Sequence, residues 1–371
     1  MVLAFMTLYC RHLGFTIEQG GLVVAIYGLG SVTGALAGGR ITDKIGFYYT
    51  QFTALLCGGI LFLVLGQMES YLSICICTFV LAMVNESFRP ANAAAIAHYS
   101  NPENRTQSFS LVRLAINLGW GIGSALGGIL AGINYHLLFW VDGATNIAAS
   151  VLLLIILPVV SLAQQHHTVE EKTNKHISGS AYRDKPFLWF LFFMILFAIC
   201  FFQLFTTVPL FFKEILQLNE FSIGAIMASN GILIALFEMV LVYSLEGKRP
   251  YLLYMRYGAV LMGLAFLTLN IPLASGALVA ISAMLVITVA EMISMPFMNT
   301  YYISRSKTET RGQYAGMYTM AWSAAQVIGS SSGAVIAHHT GYTVLWIIVF
   351  IVCLVAAAGY AWVQRWSAKN N

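Results

Sequence analysis

Glu86, Arg89, Glu238 and Glu291 are ionisable residues set inside long apolar stretches. Moving a charge from water into hydrocarbon costs about 3 kcal/mol or more, so residues of this kind pair with one another or serve a function. In Glu86-Ser-Phe-Arg89-Pro90 the acid and the base are three apart and share one face of a helix. They can satisfy each other, or the arginine can face a cavity and tune a carboxylate's hold on protons. Glu238 and Glu291 are candidates to carry an exchangeable proton; the other reading of each is a neutral, hydrogen-bonded acid joining two helices. Asp142, at the start of an apolar run, suits a helix-dipole or cap contact. Arg113 is expected to extend along its stem to the aqueous face or to meet Asp43.

Two further stretches carry polar and aromatic groups at helical spacing. Gln203, Thr206 and Thr207 form one such face, and Tyr314, Tyr318, Trp322 and Gln326 form another. Such faces could line a pathway for a bulky amphipathic or cationic solute, held by stacking and cation–π contact, or could pack helix against helix. Other chemistries find little support. Cys10, Cys57, Cys75, Cys77, Cys200 and Cys353 lie in or beside apolar runs without metal-ligand spacing, so neither zinc nor a disulfide framework is expected. His98, His136, His338 and His339 fall at helix ends without partnered carboxylates, and no glycine-rich phosphate loop is present. No cofactor and no metal are expected, and a polytopic membrane enzyme or receptor ranks below a transporter.

The elements that must position these groups are membrane helices. Of the 371 residues 59% are hydrophobic and 9% charged, too few charges for a water-facing surface. The net charge of +4 contains no basic block suited to nucleic acid. A bilayer core takes about 20 apolar residues per helix. Runs of that kind occur near 19–41, 48–68, 71–99, 106–131, 136–162, 186–212, 221–244, 251–271, 275–303, 312–337 and 342–364, eleven complete spans preceded by an apolar stub from Met1 to Cys10. With the stub counted as the first helix, fourteen Lys and Arg residues fall on one side of the membrane, and only Arg11 and Lys213 on the other. The positive side is the cytoplasmic one, which predicts a cytoplasmic C-terminus in a plasma (inner) membrane. The charged segment 163–185 reads as a cytoplasmic linker.

The chain also repeats itself. At an offset of 206, Pro90 meets Pro296, Arg105 meets Arg311, Gln107 meets Gln313, Gly123 meets Gly329, Gly127 meets Gly333 and Trp140 meets Trp346 without a gap. This predicts two parallel six-helix halves, 1–162 and 186–371, related by an axis along the membrane normal. The counterpart of the start near Pro186 falls about twenty residues before Met1, so helix 1 is expected to be truncated, through an internally assigned start or a natural fragment.

Gly39-Arg-Ile-Thr-Asp43-Lys44-Ile-Gly46 resembles the cytoplasmic signature of the major facilitator superfamily, with Tyr48 and Tyr49 where that family usually has basic residues. The resemblance implies that Asp43 docks on the eleventh helix and helps hold one state of an alternating cycle. Gly119-Trp-Gly-Ile-Gly123-Ser-Ala-Leu-Gly127-Gly128 is similar to the glycine-proline stretch of the superfamily's antiporters, with Ser124 at the usual proline. Small residues there would let helix backbones approach closely, which is equally a general property of membrane helices. Arg89 resembles the embedded arginine of the drug:proton antiporters. Together these imply an all-α polytopic fold and a monomeric, proton-coupled exporter of small amphipathic or drug-like molecules, with an importer or facilitator of a metabolite as the alternative.

Overall fold

The computed structural model describes residues 2–157, 180–271 and 275–370. Twelve α-helices and two short 3-10 turns are described, with no strand among these residues. The helices are α1 (Val2–His12), α2 (Ile17–Ile45), α3 (Phe47–Leu65), α4 (Tyr71–Tyr99), α5 (Arg105–Ile133) and α6 (His136–Ile156), followed by α7 (Lys185–Glu214), α8 (Glu220–Leu245), α9 (Tyr251–Thr268), α10 (Gly276–Arg305), α11 (Arg311–Thr340) and α12 (Tyr342–Asn370). Nine are long and apolar enough to cross a bilayer among the described residues. Two further helices, α5 and α11, have 29 and 30 residues, the length of a span. Most of the expected linker, 163–185, lies outside the described residues.

Local chemistry fixes the ends of several helices. Thr16 and Gln19 form a reciprocal capping box at the start of α2, which satisfies amide groups that have no partner within the helix. Asp184 accepts from the Phe187 amide and starts α7, and Asn219 does the same for α8 through Ser222. Gly46 ends α2 and begins α3 at φ 88°, a conformation that strains any residue with a Cβ.

The described chain divides into two compact units. The first comprises Met1–Tyr99, Ile116–Ala181 and Ser306–Ser323; the second comprises Ser100–Ala115, Tyr182–Arg305 and Ala324–Asn371. Both α5 and α11 therefore contribute to each unit. In the first, Gly30, Gly34 and Gly38 present one face of α2 to α4, where an added Cβ would meet the backbone of Phe79, Met83 and Ser87. The four-residue spacing is what brings two helices to near backbone contact in lipid, where packing replaces the hydrophobic drive. In the second, Gly258 of α9 packs against Ala290 and Ser294 of α10, and Gly263 against Phe350 and Cys353 of α12. Trp346, fully buried, stacks on Phe266 and Tyr342 and meets Phe211 edge-on.

Candidate functional site

Three helices of the second unit converge on one guanidinium. Arg113, in the first turns of α5, donates from Nη1 to Oε2 of Glu238 on α8 and from Nη2 to Oε2 of Glu291 on α10, each at 2.6 Å. Both carboxylates are buried, at 2% exposure each. Asn230, also on α8, donates from its amide nitrogen to the second oxygen of Glu291 at 2.9 Å and to the Thr288 hydroxyl at 3.0 Å. Thr288 in turn donates to the Met284 carbonyl at 2.7 Å. Arg113 is expected at the aqueous face or on Asp43, and this is corrected: it is the common partner of Glu238 and Glu291. The physical reason is desolvation, since buried carboxylates at this depth need a cation and hydrogen bonds, and Arg113 is the group in reach. One positive charge facing two carboxyl groups leaves the cluster at −1 when both are ionised and neutral when one holds a proton.

A second arrangement occupies the first unit. Asp43, in the last turn of α2, accepts from the backbone amides of Gly312 at 2.7 Å and Gln313 at 2.9 Å, the first turn of α11. Both carboxylate oxygens thus answer orphan amides at the positive end of a helix dipole. Gly39 makes the approach possible, because a Cβ there would meet the Gly312 carbonyl oxygen and Gly316. A small pocket beside the cap is bordered by His98, Thr308 and Arg311. Lys44 of the same motif is exposed.

The remaining expected residues distribute unevenly. Glu86 and Arg89 pair with each other at 2.9 Å, and the arginine side chain is 63% exposed. Gln203 and Thr207 are each 1% exposed, which fits the helix-packing alternative for this face and not the pathway lining. The Gln203 amide nitrogen donates to the Ile199 and Gly329 carbonyls and its oxygen accepts from Thr207, so this pair locks α7 to α11 with no amide donor left for a solute. Thr206 is half-buried and donates to the Phe202 carbonyl. Tyr318 and Trp322 meet edge to face at 6.2 Å, while Gln326 is exposed. In the antiporter-like stretch Gly123 is half-buried and Gly127 buried, but a Cβ on Gly119 or Gly128 would meet nothing within 4 Å, so close helix contact is not what those two glycines supply in this conformation. Asp142 accepts from the Val2 amide at 2.8 Å.

Sequence reasoning passed over Asn230, Thr288 and Glu246, whose Oε1 accepts from the Thr106 amide at 2.9 Å. An asparagine inside an apolar run was the available signal for the first. Gly30, Gly34 and Gly38 were legible as a four-residue repeat of small residues.

Comparison with known proteins agrees with this architecture. The family model described as Major Facilitator Superfamily matches residues 1–330. An Na(+), Li(+), K(+)/H(+) antiporter of Planococcus maritimus is 25% identical over 366 residues, covering 90% of this chain and 84% of its own. Multidrug resistance protein 2 of Bacillus subtilis is 25% identical over 328 residues, covering 85% and 79%. The crystal structure of the human organic anion transporter MFSD10 superposes with a TM-score of 0.73 at 13% identity, covering 96% of this chain and 89% of that one, a likeness of fold. With a family model spanning most of its length and helices fit to cross a bilayer, this chain is a multi-pass membrane protein that belongs to the Major Facilitator Superfamily of transporters.

Proposed function

We propose that the protein is a proton-coupled secondary transporter that exports small amphipathic molecules by alternating access. In this reading it is a monomer in the plasma membrane with its C-terminus in the cytoplasm. One observation carries it: two buried carboxyl groups share a single arginine, so the cluster changes net charge by one when it takes up or releases a proton. A site that changes charge can couple solute movement to a proton gradient, because the loaded and unloaded forms differ in how readily they are buried. A relative whose name specifies cation/proton antiport and another named for multidrug resistance support the direction and solute class. Asp43 at the head of α11 supplies a contact that one state of the cycle would hold and another release.

The test uses inside-out vesicles containing the full chain, with ethidium as an amphipathic cationic probe. A proton gradient, acid inside, is expected to drive ethidium accumulation, and the double substitution Glu238→Gln with Glu291→Gln to abolish the gradient's effect. Accumulation indifferent to the gradient in the unsubstituted protein would defeat the coupling.

A further inference from the structure

The two carboxyl groups of the cluster are not equivalent in what surrounds them. Glu291 is enclosed by donors. Its Oε2 receives Arg113 and its Oε1 receives the Asn230 amide nitrogen. The amide's orientation follows from Thr288: that hydroxyl gives its single hydrogen to the Met284 carbonyl, so its oxygen can only accept from Asn230. Turned the other way, the amide oxygen would face an acceptor on both sides. A proton placed on Glu291 Oε1 would therefore point at an N–H, with no acceptor to receive it.

Glu238 differs. Its Oε2 receives Arg113, but its Oε1 is buried without a hydrogen-bond partner. Beside the Glu238 carboxyl group, one turn before Arg113 on α5, is Ser110, 1% exposed, whose hydroxyl oxygen is likewise buried without a partner. A hydroxyl, unlike the amide nitrogen that faces Glu291, can accept as well as donate, so Ser110 can bond the free oxygen of Glu238 whether or not that oxygen carries a proton. The charged groups around Glu238 are Arg113 of α5 and Glu291 of α10.

We propose that, within the proton-coupled reading above on which this rests, the exchangeable proton resides on Oε1 of Glu238, held by a hydrogen bond to Ser110, while Glu291 stays an ionised counter-ion to Arg113. Uptake forms the Oε1–H bond and leaves the cluster neutral. Release breaks that bond, gives the proton to water and leaves two carboxylates on one guanidinium. Ser110 is a positioning residue: it accepts from the protonated acid and can turn to donate to the carboxylate, so it serves both forms.

The experiment needs no transported solute. Infrared difference spectra of the purified full chain, taken across a pH step, report the carbonyl stretch of a protonated carboxylic acid. With the pH step varied over a range, the expected result is that Glu238→Gln removes the band, Glu291→Gln keeps it but brings it in only at lower pH because Arg113 then faces a single carboxylate, Ser110→Ala moves it to higher frequency as the hydrogen bond is lost, and Ser110→Thr restores its position. Should the Glu variants fail to fold, the two Ser110 variants, which leave every charge in place, decide alone. A band lost in Glu291→Gln and kept in Glu238→Gln overturns this assignment and leaves the proton-exchange reading standing; loss in both replaces one proton-bearing oxygen with a shared proton and overturns it too. A band that persists unshifted in all the variants removes the cluster from proton exchange altogether.

Discussion

The head of α11 and the head of α5 are the same place in the two copies of the repeat, and each receives a carboxylate. At an offset of 206, Gly312 corresponds to Thr106, Gly316 to Ser110 and Gly39 to Leu245. In the first unit Asp43 grips two amides of α11 and glycine meets glycine along the contact. In the second unit Glu246 reaches one amide, that of Thr106, and its Oε2 has no hydrogen-bond partner. Thr106 itself bonds the Thr300 hydroxyl of α10 at 2.9 Å. Where one copy has bare backbone, the other has hydroxyls, and a turn further along it has Ser110 and Arg113. The duplicated position has thus become a close backbone joint in one unit and a polar side-chain network in the other. The lesson is that a repeat preserves where a helix end needs an anion, while the residues around it remain free to take on different work.

The comparison breaks most visibly at the glycine joint. Gly312→Val would place side-chain atoms against the Gly39 carbonyl and the Asp43 carboxylate, and is expected to cost about 3 kcal/mol, with most of the protein failing to fold. Its repeat partner substituted alike, Thr106→Val, should lose only about 1 kcal/mol with the Thr300 bond. Thermal unfolding of the two variants in detergent checks this, and equal losses would erase the distinction.

Next in size is the cap itself. Asp43→Ala removes two charge-assisted bonds and is expected to lower stability by about 2 kcal/mol, against about 1 kcal/mol for Glu246→Ala, which removes one. The same unfolding measurement reads it, and a larger effect at Glu246 would reverse the ranking of the two caps. Smaller still, Asp43→Asn keeps one acceptor and should cost about 1 kcal/mol, seen in the unfolding midpoint and rescued by no change of salt because the contact is backbone-directed. The smallest effect belongs to Gly119→Ala, expected within about 0.5 kcal/mol since its Cβ would meet open space. Loss of transport from that variant without loss of stability would show that the α5 glycines come into close contact only in another conformation.

Much of the helical layout could be read directly. Apolar runs separated by Gly, Pro and charged breaks gave helix positions within a few residues of those in the structure, because lipid leaves the backbone no alternative to internal hydrogen bonding. The motif around Asp43 was legible because a glycine–aspartate–glycine spacing at a helix turn has few uses. Glu246 was not, since the offset that aligns the helices maps Asp43 onto Arg249, three residues beyond the residue that caps α5. A longer side chain placed just past the end of α8 reaches the same amide from a different register.

From its sequence alone this protein was bound to be helical and embedded in lipid, since hydropathy acts locally and leaves its marks in order along the chain. What tertiary structure alone decided was partnership: that Arg113 serves both Glu238 and Glu291, that Asn230 holds one of them, and that Gln203 closes on α11 instead of facing a solute. Those pairs are separated by 61 to 178 residues or lie on helices whose rotation no periodicity fixes. In a medium where every helix is apolar around much of its circumference, the face that turns inward is set by which buried charges find one another.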